Sequence, residues 1–355
     1  MKHYKLGSFL TKYFPYAKLT RLYRYLSEHR WVANKEVVET FLGHGLSARE
    51  VSRHLRGVRQ AYVRYAWLPE EYFLYRYDLL STSGRRAFVP DIEKDRFCDK
   101  VNSPQVFDIF YNKGNIYSHF SQFYRREVCV LHSADDDLTA LEDFLSRHDV
   151  AVVKPLRSSL GQGVKILHDA SIQEVLSLME EYPLGIIVEE MIRQCREMAL
   201  PHPQSVNTVR LTTYIVDGKV NVLRRPFVRF GTSGNVVDNG AQGGLFSAID
   251  YDTGIVIGVC DEHGRRHVVH PDSGVPLVGF QVPRWGEAID FVKELAGVLP
   301  FCRYIGWDIA LTEKGWVMVE GNSHGQFIGF QLPRNKGFRD ELLSVDPEAL
   351  TFKRR

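Results

Sequence analysis

Gly306-Trp-Asp-Ile-Ala-Leu-Thr-Glu-Lys-Gly-Trp-Val-Met-Val-Glu-Gly-Asn322 reads as two strands joined by a tight turn. Asp308 stands near the first strand, and Glu320 and Asn322 near the end of the second. Residues two apart in a strand project from the same face, so Glu320 and Asn322 point the same way. Two carboxylates and an amide oxygen converging on one spot form a hard-oxygen site suited to Mg²⁺ beside phosphates. Trp307, Ile309, Val317 and Val319 alternate with the polar positions and predict one buried apolar face. The other face meets either water or a nucleotide, and the rest of the chain must decide between them.

The bulk properties set the frame. The chain has 355 residues, 44% of them apolar and 25% charged, which is ordinary for a globular protein with two or three domains. No run approaches the roughly 18 apolar residues of a membrane span, and the basic N-terminus lacks the apolar segment of a signal peptide. The five cysteines, at 98, 129, 195, 260 and 302, are scattered, odd in number and never in a Cys-x-x-Cys pair. That disfavours a disulfide framework or a zinc site and points to a cytoplasmic location.

Charge is unevenly distributed. Residues 1–77 carry 14 Lys/Arg and 6 Asp/Glu, a balance of +8, so the remainder carries −6. Such a basic, aromatic-rich part could meet nucleic acid, an anionic membrane or an acidic substrate, although solvated arginines over a small helical domain explain it better. Its pattern is helical: Leu19, Leu22, Tyr23 and Leu26 recur at helical spacing, as do Val37, Val38, Phe41 and Leu42. Gly43-His-Gly45 ends one helix, and Ser47-Ala-Arg-Glu50 forms a capping box that opens the next, with Val51, Leu55, Val58, Tyr62 and Tyr65 along one side. Helix, glycine turn and basic helix also outline a helix-turn-helix DNA reader, but a plain αα-hairpin is far commoner.

From about residue 85 short apolar runs appear, bounded by Gly, Pro and Asp. They are 151–154, 164–167, 185–190, 209–216 and 220–224, with helical segments around 138–147, 172–180 and 283–299. There is no regular β-α-β beat, so the expectation is α+β. The expected organisation is a helical N-terminal region, 1–84, and a catalytic domain, 85–335. A phosphate-clamping part covers about 130–190, a metal-holding part about 191–335, and a frayed tail 336–355.

Ala151-Val-Val-Lys154-Pro-Leu-Arg-Ser-Ser-Leu-Gly161-Gln-Gly163-Val-Lys-Ile-Leu is a strand, a small-residue loop and another strand. Gly161 and Gly163 let backbone amides approach an anion, and Lys154 can reach phosphate oxygens over the loop. It is neither a P-loop nor a Rossmann turn, because the Gly-Lys-Ser/Thr ending is absent and a strand follows. Next, Gly185-Ile-Ile-Val-Glu189-Glu190-Met191-Ile192 runs an apolar strand into two acids and two apolar residues, which suits an adenine slot. Glu197 is a candidate for the ribose hydroxyls. His202 and His324 could act as acid or base, although such histidines are more often structural. In Asp238-Asn-Gly-Ala-Gln-Gly-Gly244, Asn239 and Gln242 offer amides on a loop able to close over the acceptor side of a site, and a plain surface loop fits equally well.

Five features stand in order: Lys113 in Asn-Lys-Gly-Asn, Lys154 ahead of Ser-Ser-Leu-Gly-Gln-Gly, Glu189-Glu190, Asn207-Thr-Val-Arg210, and Asp308 with Glu320-x-Asn322. In this the chain resembles the ATP-grasp superfamily, and within it the sugar-transfer-associated and α-L-glutamate-ligase-like groups. The resemblance covers roughly 85–330 and implies two α+β subdomains that clamp ATP, joined to a helical N-terminal region. It implies that Lys113 and Lys154 hold phosphates and that the hairpin with Ser158, Ser159, Gly161, Gln162 and Gly163 covers them. Glu189, Glu190, Met191, Ile192 and Glu197 would then take the nucleoside. Asp308, Glu320 and Asn322 would hold one or two Mg²⁺ ions, with Mn²⁺ as a substitute, and Arg210 would stand beside the transferred phosphoryl group. The implied activity is an ATP- and Mg²⁺-dependent carboxylate–amine ligase working through an acylphosphate, with Arg210, Lys154 and Asn239 as catalytic residues. Its implied partners are a small-molecule carboxylate and an amine, with a saccharide or peptide among the candidates. Two alternatives stay open: an ATP-grasp kinase acting on a hydroxyl, and a catalytically silent nucleotide- or nucleic-acid-binding protein.

Overall fold

The structure is a computed structural model describing residues 35–158, 162–232 and 244–346. The chain forms two compact units, with residues 87–89 and 93 onward in the second and the earlier residues, together with 90–92, in the first.

The described part of the first unit contains helices α1 (Lys35–Leu42), α2 (Ala48–Tyr65) and α3 (Pro69–Leu74). The capping box at the start of α2 is complete. The Ser47 amide donates to Glu50 Oε2 at 2.9 Å, and the Glu50 amide donates to Ser47 Oγ at 3.3 Å. Val51, His54, Val58 and Ala61 bury one side of α2, as the 3.6-residue period requires. Trp67, Tyr72, Tyr75 and Tyr77 pack around them edge to face, which uses the aromatic density of this region for its core. The periodic segment 19–26 lies outside the described residues.

The second unit holds two antiparallel sheets. The smaller consists of β1 (Val128–Leu131), β2 (Val150–Pro155), β3 (Lys165–His168) and β4 (Ile186–Glu190), in the order β1-β4-β2-β3. Helices α5 (Thr139–Arg147) and α6 (Ile172–Glu181) supply Leu141, Phe144, Val175 and Met179 to a core with Ala151, Val153 and Val188. Lys113–Tyr124 forms α4, which runs up to β1 in the chain. The larger sheet runs β10 (Arg266–His267), β9 (Val256–Cys260), β8 (Leu245–Ile249), β7 (Phe227–Phe230), β5 (Thr208–Val216), β11 (Tyr304–Thr312), β12 (Gly315–Asn322), with β6 (Lys219–Val222) beside β5. Helix α7 (Trp285–Val298) brings Phe291, Val292 and Leu295 into the cluster that holds Trp307, Ile309, Leu311, Trp316 and Met318. Strands β7 to β10 are absent from the runs marked in the sequence. Leu245–Ile249 is buried at every position, so it shows no alternation to read.

Two local expectations change. The register of β11 against β12 shifts at Asp308/Ile309: Ile309 opposes Met318, while Asp308 opposes Glu320. Val319 is the extra residue of a β-bulge, and a bulge reverses which residues face which side. Trp316 and Met318 therefore share the core with Trp307 and Ile309, whereas Val317 opposes Ala310 on the other face. The segment after residue 335, expected to fray, contains the helix α8 (Arg339–Val345), with Leu342 and Val345 buried and Glu341 accepting from Arg225 Nε at 2.8 and 2.9 Å. An ion pair 116 residues apart in sequence leaves no local trace there. All five cysteines are free and buried.

Candidate active site

Pairing across three neighbouring strands assembles the centre of the site. Asp308 on β11 opposes Arg210 on β5 and Glu320 on β12, and opposed residues in an antiparallel pair share a face. Arg210 donates to Asp308 through Nε at 2.5 Å and Nη2 at 2.6 Å, a two-pronged pairing that suits a planar guanidinium. Arg229 on β7 approaches the same carboxylate at 3.0 Å, and Asn322 Nδ2 donates to it at 3.3 Å. Burial would raise the Asp308 carboxyl, but the two arginines outweigh it and hold it below the ordinary carboxylate range. Two glycines make room for Arg210. A Cβ at Gly325 would lie 2.6 Å from its Nη1, and one at Gly306 would lie 3.2 Å from Cδ and from Nη1.

Glu320 differs from Asp308. Among the described residues its carboxylate accepts no hydrogen bond, and burial pushes it up while Lys113 pulls the other way. Lys113 is lowered by burial, opposed by Glu320. The Lys113 amine donates to the Ser158 carbonyl at 2.9 Å and to Ser158 Oγ at 3.0 Å, while its amide donates to the Leu156 carbonyl at 2.9 Å. One residue thus fastens the N-terminus of α4 to the loop after β2.

Lys154 on β2 donates to Glu189 Oε1 at 2.9 Å. The other Glu189 oxygen accepts from Arg126 Nε at 3.0 Å and Nη2 at 2.6 Å. Arg126 Nη1 also donates to the Met318 carbonyl at 2.6 Å, so this cluster ties the small sheet to β12. Burial would raise the Glu189 carboxyl, but Arg126 and Lys154 bring it down to about 2.

A cavity of about 350 Å³ adjoins these groups. Val152, Ile166, Met191, Ile192 and Val319 line it, with Lys154 and Glu189 among its polar walls. An apolar slot with a few fixed charges is the ordinary make-up of a small-molecule site. Glu190 lines the slot as well, with Oε2 accepting from the Glu127 amide at 3.3 Å. Gly163 sits at φ +75°, and a Cβ there would meet Pro155 Cγ at 2.7 Å and Tyr182 Oη at 2.9 Å, so only glycine fits the hairpin. Gln162 is exposed beside it.

Several expected residues lie elsewhere. Glu197 is exposed on the short helix Arg196–Ala199 and does not line the cavity, whereas Gln204 and Arg193 do. His202 bonds Ser205 Oγ at 2.8 Å and stacks on His270 with ring centroids 5.7 Å apart, a structural pairing. His324 bonds Asp99 at 2.9 Å. Ser159, Gly161, Asn239 and Gln242 lie outside the described residues. Arg126 and Arg229 went unmarked in the sequence, and the only signal for Arg229 was the Arg-Pro-Phe-Val-Arg run that precedes a buried strand.

Among the described residues no group of three or more His, Cys, Asp and Glu side chains gathers as a metal centre. The available donors are the Glu320 carboxylate, the Asn322 amide oxygen, and Asp308 when its arginines yield. These are hard oxygen donors of the kind Mg²⁺ takes.

A family model described as sugar-transfer associated ATP-grasp matches residues 93–347. No curated protein matches the sequence. The fold is similar to the ATP-grasp ligase PsnB complexed with a phosphomimetic precursor variant, Mg and ADP, at 14% identity and TM-score 0.40, covering 69% of this chain and 62% of that one. It is similar to D-alanine–D-alanine ligase from Bacillus anthracis complexed with ATP, at 15% identity and TM-score 0.40, covering 69% and 67%. It is also similar to the VanG D-Ala:D-Ser ligase from Enterococcus faecalis, at 12% identity and TM-score 0.44, covering 68% and 62%. The chain spans just under two thirds of the length of PsnB and of VanG.

Proposed function

The chain belongs to the sugar-transfer-associated ATP-grasp family, and from that premise we propose that it is an ATP-dependent carboxylate–amine ligase working through an acylphosphate. The observation that carries this reading is the Arg210–Asp308–Glu320 rung facing Lys113 and Lys154 beside an apolar slot. ATP is a substrate here, its base in the slot and its phosphates toward the two lysines and the glycine hairpin. Glu320, Asn322 and Asp308 are the residues that would hold Mg²⁺, which when bound neutralises phosphate charge. A substrate carboxylate attacks the γ-phosphorus, the bond to ADP breaks, and an acylphosphate results. An amine then adds to the acyl carbon and phosphate leaves. Lys113 and Lys154 orient the phosphates, while Arg210 and Arg229 face the side where negative charge develops. Asn239 is assigned to the acceptor side, and a sugar acid, glycan precursor or peptide is the proposed carboxylate class.

Hydroxylamine tests the reaction type. Incubation with ATP, Mg²⁺ and candidate amino acids or uronic acids is expected to yield a hydroxamate together with ADP and phosphate. A stable phosphorylated alcohol with ADP would make the protein a kinase instead.

Arg210 can be tested without removing it. Gly325→Ala places a methyl carbon 2.6 Å from Arg210 Nη1, the guanidinium nitrogen that bonds neither Asp308 oxygen, so the group must shift while its Nε and Nη2 pairing with Asp308 can persist. The expected outcome is a near-normal melting temperature with ATP-dependent turnover reduced by about 100-fold, the effect of a catalytic group misplaced by about 1 Å. Unchanged turnover would remove Arg210 from the catalytic assignment.

A further inference from the structure

We propose that the solvent face of α2 in the first unit is a docking surface for an anionic lipid bilayer. The helix buries Val51, His54, Val58 and Ala61, and a Cβ at Gly57 would lie 2.5 Å from Tyr72 Oη, so its rotation is fixed by packing. The remaining circumference carries Arg49, Arg53, Arg56, Arg59 and Arg64, all exposed. At 100° per residue these five span an arc of about 140°, along about 23 Å of helix. The acid of α2, Glu50, is engaged in the capping box. Among the described residues none of the five arginines pairs with a carboxylate; Arg56 donates to Ser52 Oγ at 3.2 Å and Arg53 bonds the His54 ring at 3.3 Å.

A solvated helix face ordinarily interleaves acids with its bases. Here Arg49 and Arg53 stand four apart, and Arg53, Arg56 and Arg59 stand three apart, so each neighbouring pair repels. An external anion offsets that repulsion. The aliphatic side chains among the arginines favour a lipid surface over a polynucleotide. Val63, on the same face, is 81% exposed. Beside Arg56 and Arg59 opens a groove of about 530 Å³ floored by Leu46, Val51 and Leu55, with Lys35 at its edge. Guanidinium groups over aliphatic patches match phosphate headgroups over acyl chains, and clusters of four to eight Lys/Arg on an amphipathic helix suffice to hold an anionic leaflet. The apolar side of α2 is already used by the core of the unit, so binding is peripheral. This inference is independent of the ligase reading.

Co-sedimentation of the full chain with vesicles tests it. Binding is expected to vesicles of equal parts phosphatidylcholine and phosphatidylglycerol, not to pure phosphatidylcholine, and should weaken as salt rises. Arg53→Gln with Arg56→Gln and Arg59→Gln is expected to reduce partitioning by at least about tenfold, since each arginine near the surface adds attraction. These substitutions relieve repulsion and keep good helix formers, so the circular dichroism spectrum and ATP turnover should not change. Val63→Ser should weaken vesicle binding and leave any binding to heparin or duplex DNA unaltered. Equal binding to both vesicle types, or no effect of the triple substitution, would overturn the proposal. So would duplex DNA binding as strong as vesicle binding with Val63→Ser silent toward both, which would make the face a polyanion site.

Discussion

Asp308→Asn is expected to destabilise the ligand-free protein by about 3–5 kcal/mol and to lower ATP turnover by at least about 100-fold. Both effects come from one carboxylate. Its two oxygens receive Arg210 Nε, Arg210 Nη2 and Arg229 Nη2 at 2.5 to 3.0 Å, and Asp308 is 2% exposed. An amide at that position returns no counter-charge, so a buried guanidinium is left unpaired. Glu320 is the nearest remaining anion and will recover part of the loss, which favours the lower end of the range. Urea unfolding of the apo-protein reads the stability term; single-turnover ATP consumption reads the other. A residue that served only to hold a metal would leave apo stability untouched. If urea unfolding is unchanged while turnover collapses, the arginine–aspartate pairing does not govern the resting site.

Glu189→Gln is expected to cost about 3–5 kcal/mol and to flatten the acid limb of stability. The wild-type carboxyl titrates near 2 in the fold against an ordinary 4.5. A carboxyl lowered on folding contributes its stability above the unfolded value and loses it as pH falls through the folded one. Its contribution, about 3 kcal/mol, is therefore complete above pH 4.5 and lost progressively toward pH 2. Glutamine removes that titration along with both ion pairs, to Arg126 and Lys154. Thermal melts between pH 2 and pH 7 should show a melting temperature lower by roughly 6–20 °C at neutral pH, with the gap to wild type closing as pH falls. A gap that stays constant over that range would mean Glu189 is not an ionised partner of the two bases. Because Arg126 also reaches the Met318 carbonyl, the substitution should loosen the small sheet from β12 and weaken ATP binding together with stability.

What could be read from residues alone was what neighbouring residues decide. The capping box at Ser47-x-x-Glu50, the turn that joins β11 to β12, and the glycine hairpin after Lys154 all act within a few positions, so composition and spacing reveal them. The order of Lys113, Lys154, Glu189-Glu190, Arg210 and Asp308…Glu320-x-Asn322 pointed to the family for the same reason: each motif is short and self-contained. Glu197 was a candidate by spacing alone, and the helix Arg196–Ala199 turns it to solvent.

Tertiary structure decided how those pieces face one another. A one-residue bulge at Val319 determines which way Glu320 points, and strict alternation would have put that carboxylate in the apolar core with Met318. Asp308 meets Arg210 across 98 residues, and Glu189 meets Arg126 across 63, because strand order brings them together. No local pattern encodes such pairs, since their energy depends on register and burial, which arise only when the sheets close. The sequence by itself determined that a glycine-bearing hairpin after Lys154 and an Asp–Glu–Asn set exist in this protein. Folding alone decided that Arg210 and Arg229 hold Asp308, and that Glu320, among the described residues, accepts no hydrogen bond and has only the charges of nearby bases to offset its burial.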